Sequence, residues 1–100
     1  MTVSFFAPHS VDHEPEQFMP QPKSMSVYQN ITLKPPVNMT DSYARMPNFF
    51  SEENIARIRF HARFDEPTKY DKMLKNYYRL ITEVDSACQA IWNELDNRAY

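Results

Sequence analysis

The stretch YDKMLKNYYRLITEVDSACQAIWNEL, residues 70–95, decides the fold. Its residues Tyr70, Leu74, Tyr77, Ile81, Val84, Cys88, Ile91 and Leu95 follow one another at spacings of 4, 3, 4, 3, 4, 3 and 4. A helix places such positions on one narrow apolar seam, the kind that packs along another helix. Trp92 lies beside the seam, and Tyr78 lies on the same flank two heptads earlier. Large aromatics at that position serve as bundle core or as interface anchors. The helix is expected to run from about 67 to about 97, roughly 45 Å at 1.5 Å per residue.

Upstream, Ser51 reads as a helix N-cap, with Glu52 and Glu53 in a first turn that favours carboxylates. Phe50 and Ile55 stand at the positions of a hydrophobic staple. These signals predict a helix from 52 to about 64. A competing pattern runs through the same residues: Ala56, Ile58, Phe60, Ala62 and Phe64 alternate with Arg57, Arg59, His61 and Arg63, as in a strand with one basic face. Cap, staple and length together favour the helix. Asp65-Glu66-Pro67-Thr68 is the break, where Asp65 or Thr68 is placed to cap the next helix. A helix of about 13 residues spans roughly 20 Å. Folded back, it leaves Val84, Ala87, Cys88, Ile91, Trp92 and Leu95 for a partner chain or the N-terminal region to cover.

The first half of the chain is different. Of eight prolines among 100 residues, all but Pro67 precede residue 48. Residues 1–23 read as an arm without sustained period, and its Phe5, Phe6 and Phe18, with Tyr28 beyond it, suit a peptide that docks along a surface. Residues 24–34 alternate, with Met25, Val27, Ile31 and Leu33 on one side, and predict a short strand or an extended segment. One short helical turn is expected around Asp41–Met46. There is no glycine, so left-handed caps would fall to Asn or Asp, and glycine-rich phosphate loops are excluded. The reading is thus mainly α. A short helix and a long amphipathic helix form a helical interaction domain (51–100), preceded by an extended Pro-rich arm (1–50).

Charge is laid out against the helix dipole. Lys69, Lys72, Lys75 and Arg79 occupy the first half of the long helix, and Glu83, Asp85, Glu94 and Asp96 the second. An antiparallel pair of such helices would turn that cost into attraction. Arg57, Arg59, Arg63, Lys69, Lys72, Lys75 and Arg79 also form a basic stretch interleaved with aromatics, the best case for nucleic acid or another anionic partner.

Candidate chemistry is sparse. Cys88, the one cysteine, falls in register on the seam, which favours packing over nucleophilic chemistry. His9, Asp12, His13 and Glu14 form a metal-like cluster, but Pro8 and Pro15 bracket it on an arm with no core, so no metal is assigned. Asn30-Ile31-Thr32 and Asn38-Met39-Thr40 match the glycosylation pattern by coincidence if the chain carries no signal sequence. No apolar run approaches a membrane span, the start lacks a signal-like core, and an intracellular, cytoplasmic setting is expected.

The expected function is non-enzymatic and needs no cofactor. The chain buries its 70–95 helix against a copy of itself or a larger protein, through Tyr77, Ile81, Val84, Cys88, Ile91, Trp92 and Leu95. That shape suits accessory subunits of large complexes and small viral proteins. The second expectation is a nucleic-acid-binding module using residues 57–79.

Overall fold

A short helix begins where Asn54 turns its side chain onto the backbone. In the computed structural model, which describes residues 2–39 and 43–98, Asn54 Oδ1 accepts from Ala56 N–H at 2.9 Å. Helix α1 then runs over Ile55–Arg63. The competing strand is not formed; residues 55–63 are helical. The cap lies three residues later than Ser51, so Glu52 and Glu53 precede the helix instead of opening it. Ile55 becomes the first helical residue and is 60% exposed, outside the staple position. Asn wins because its amide also donates to Phe49 O at 3.1 Å, fixing the entry of the chain as well as the first turn. His61 and Arg63 occupy the last turn, where the dipole favours cations.

Helix α2 runs over Pro67–Asn97, 31 residues, as the seam predicts. Proline is well placed at its first position, having no N–H to leave unsatisfied. Its first turn closes with Tyr70 N–H donating to Glu66 O at 2.8 Å. Single turns of 3-10 helix occur at Pro22–Ser24 and Tyr43–Arg45. The latter falls inside the turn expected around Asp41–Met46, of which Asp41 lies outside the described residues. The chain is mainly helical, with an N-terminal region that lacks regular structure beyond these turns, and no strand occurs among the described residues.

Of the strand or extended segment expected at 24–34, residues 25–30 form turns instead, and 31–34 form neither turn nor strand. Val27 N–H donates to Ser24 O at 3.0 Å and Gln29 N–H to Ser26 O at 3.3 Å. Tyr28 sits at φ 61°, in the left-handed region. Gln17, at φ 50°, is the other such residue among those described. Without glycine the chain uses Gln and Tyr there, not the expected Asn or Asp.

The contacts divide the chain otherwise than at residue 50. One unit joins Met1–Asn30 to Lys75–Tyr100; the other is Ile31–Leu74. In the second, Phe64 meets Tyr70 edge-on at 5.9 Å, Met73 is buried, and Leu33 N–H donates to Asp71 at 2.7 Å. The corner between α1 and α2 is held by Asp65. Its carboxylate pairs with Lys69 and faces His61 Nδ1 at 3.4 Å, while Lys69 Nζ also donates to His61 O at 2.8 Å.

The Lys69 hydrogen bond, with a lesser one from His61, holds the Asp65 carboxyl below its ordinary 3.8. A carboxylate lowered in the folded state stabilises the fold above its unfolded value and loses that contribution as pH falls through the folded one. The corner is therefore expected to weaken as pH drops below 3.8. Asp65→Asn should remove that part of the acid dependence, a change of under about 1 kcal/mol for so accessible a pair. Urea midpoints compared between neutral and acid pH check this; equal acid slopes in both proteins would contradict it.

Candidate interaction surface

The unit formed by the arm and the later turns of α2 is organised by polar side chains. Arg79 is only 6% exposed. Its Nε donates to Val27 O at 2.9 Å, its Nη2 to Met25 O at 2.8 Å, and its Nη1 to Asn76 Oδ1 at 2.8 Å. Asn76, also buried, donates in turn to Phe18 O at 3.2 Å. Glu83 accepts from Gln21 N–H at 2.7 Å. The Thr82 hydroxyl gives its proton to Tyr78 O at 3.0 Å, so the Tyr28 hydroxyl, 3.0 Å away, must donate to it. Apolar contacts complete the seal. Phe18 and Leu80 are buried, and Phe18 meets Tyr77 edge-on at 5.7 Å.

The face of α2 that the arm covers is thus Asn76, Arg79, Leu80, Glu83 and Ala87, and of the seam it meets Tyr77 through Phe18. Residues two apart on a helix point about 200° from each other. Ile81 and Asp85 therefore face away from Glu83, and Cys88 and Trp92 face away from Ala90. The arm leaves the apolar strip open. Ile81 is 41% exposed, Leu95 54% and Trp92 62%. Cys88 is an exposed free thiol, not a packed one. Tyr77, Val84 and Ile91, nearer the arm's edge, are half-buried. The N-terminal region wraps back and reaches Ala87, but it leaves Cys88, Trp92 and Leu95 exposed.

On the arm side, Gln21, Ser24, Thr82, Glu83, Ser86 and Ala90 help line a cavity of about 460 Å³. Its walls mix hydroxyl, carboxylate and methyl groups without a convergent set of catalytic partners. Among the described residues, no group of three or more His, Cys, Asp or Glu side chains is placed to hold a metal, the His9–Glu14 cluster included.

The basic stretch does not survive as one surface. Arg79 is buried against the arm. Lys69 is paired with Asp65, and Arg57 with Glu52, its Nη1 also donating to Phe50 O at 3.2 Å. Arg59 and Lys72 are exposed, and Arg63 and Lys75 half-buried. Sequence reasoning assigned Arg79 to an anionic partner because a basic residue on a helix is ordinarily solvated. The signal that it is internal is its position three residues after Asn76, a spacing that joins two amide- and carbonyl-binding groups on one face.

No family model matches the chain, and neither do curated proteins or solved structures. Its surfaces carry the functional argument.

Arg79→Met should leave two arm carbonyls and the Asn76 side chain without their donor. A cost of about 3 kcal/mol is expected, since hydrogen bonds to a buried charge are the strong ones. Amide exchange should accelerate in residues 18–27 well before it does in α2. Unchanged protection of that segment would show that the guanidinium does not hold the arm.

Proposed function

We propose that the chain is a non-enzymatic interaction protein that docks a protein surface on the open strip of α2. The observation that supports this is the placement of the arm. Residues 18–28 fold back on the long helix and bond Asn76, Arg79, Thr82 and Glu83, leaving Ile81, Cys88, Trp92 and Leu95 exposed. Burying a large apolar side chain contributes about 1.5–3 kcal/mol, so a helix that keeps a continuous row of them exposed gains by covering it. Trp92 is the natural centre of such a contact, being large, rigid and most exposed of the strip's large apolar residues. Ile91 and Leu95 with Ala90 and Glu94 border a shallow depression of about 340 Å³ that would receive a partner side chain.

No helix among the described residues is long and apolar enough to cross a membrane. The internal bonds of Arg57, Lys69 and Arg79 remove three members of the basic stretch, which leaves the nucleic-acid alternative with less to rest on.

Size-exclusion chromatography with light scattering tests the strip directly. The wild-type mass is expected to exceed that of the monomer and to rise with concentration. Ile91→Asp should return it to the monomer with helical circular dichroism unchanged. An assembly indifferent to Ile91→Asp would rule out the strip as the docking surface.

A further inference from the structure

We infer that the occupant of the strip is a second copy of this chain, and that the copy docks there with its α1. The inference rests on the docking role proposed above and names the partner for it. Two surfaces of the same molecule complement each other in both apolarity and charge.

The first is the strip. Between Leu80 and Asn97 the helix carries Glu83, Asp85, Glu94 and Asp96 and no lysine or arginine. Glu83 is engaged by the arm, and Glu94 pairs with Arg98. Asp85 lies within the strip itself, one helical turn from Ile81 and Cys88, and Asp96 lies at its end beside Leu95. The second surface is α1. It has no acid between residues 55 and 63, and with Arg57 engaged by Glu52 and Phe50 O its outward cations are Arg59 and Arg63. None of its residues is buried. Ile55, Ile58, Arg59 and Ala62 are all exposed and share one face by their spacing of three and four. Arg63 continues that row from Arg59.

An exposed apolar face rimmed by acids and an exposed apolar face rimmed by arginines are a matched pair. The strip is long enough to receive all of α1. Nine helical residues span about 14 Å, and the strip from Ile81 to Leu95 spans about 21 Å. A copy of the strip is the poorer occupant, because it would set acid against acid. Each molecule offers one α1 and one strip, so copies satisfy each other.

Two charge reversals test this. One variant carries Arg59→Glu and Arg63→Glu; the other carries Asp85→Lys and Asp96→Lys. Each alone sets like charges together and is expected to weaken self-association about tenfold or more. An equimolar mixture should associate again, because each variant then meets a surface of opposite charge. A single chain carrying all four substitutions should also self-associate, which separates loss of contact from loss of fold. Trp92, the sole tryptophan, reports each state by its emission.

Restoration in the mixture or in the combined chain supports the proposal. Association lost in Ile91→Asp but indifferent to both reversals would overturn it while leaving the strip as a docking surface. Association indifferent to Ile91→Asp and to the reversals would overturn both. A wild-type chain that stays monomeric at all concentrations, with Trp92 emission fully solvent-like, would overturn the second copy as the occupant.

Discussion

The arm-bearing unit depends on one guanidinium taken out of water. Burying Arg79 costs several kcal/mol unless its donors are satisfied, and it is satisfied almost entirely by the backbone of the arm and by Asn76. The large apolar side chains buried in this unit are Phe18 and Leu80. So small an apolar contact would not by itself order thirty residues against about 1–2 kcal/mol of backbone entropy for each. The polar clamp supplies what the core lacks, which is direction. Met25 O and Val27 O must both point at the guanidinium, and that requirement fixes the turns of residues 24–29 more tightly than apolar packing would.

This arrangement inverts the usual use of an amphipathic helix. A helix in a small domain ordinarily turns its apolar stripe inward and its charges to water. Here α2 presents Asn76, Arg79 and Glu83 to its own chain and leaves Ile81, Cys88, Trp92 and Leu95 outside. The energetics are consistent if the apolar strip is not solvent-exposed in the protein's working state. The arm then satisfies the polar face, through bonds to Asn76, Arg79 and Glu83.

The sequence was legible where side chains alone carry the information. The seam's unbroken 4–3 spacing located α2 from Pro67 to Asn97, because helical register depends only on which positions are apolar. The start of α1 was displaced because Asn caps as well as Ser does; Asn54 also donates to Phe49 O five residues back, a local bond that the residue pattern does not announce. The course of the arm could not be read at all. Its anchors are carbonyl oxygens at Phe18, Met25 and Val27, and every residue has one. The alternation of residues 24–34 looked like a strand since turns also permit apolar side chains to recur at two-residue intervals. The seam was expected to need a partner chain or the N-terminal region as its cover, and the arm instead bonds the polar residues Asn76, Arg79 and Glu83.

The charge layout of α2 gains a physical cause from the same contacts. Cations early and acids late oppose the macrodipole, which is unexplained in an isolated helix. Lys69 is where it is to close the corner with Asp65, and Arg79 and Glu83 are where they are to grip the arm at two points. Once these are accounted for, the acids that remain without a structural role are Asp85 and Asp96. Both lie on or beside the open strip, and both therefore bear on what the strip admits. A charge placed within an apolar contact contributes little to affinity when exposed but costs several kcal/mol if a partner buries it without a counterion. If the strip docks a helix as proposed, Asp85 would disfavour a neutral helix that buries it and favour one that brings a cation.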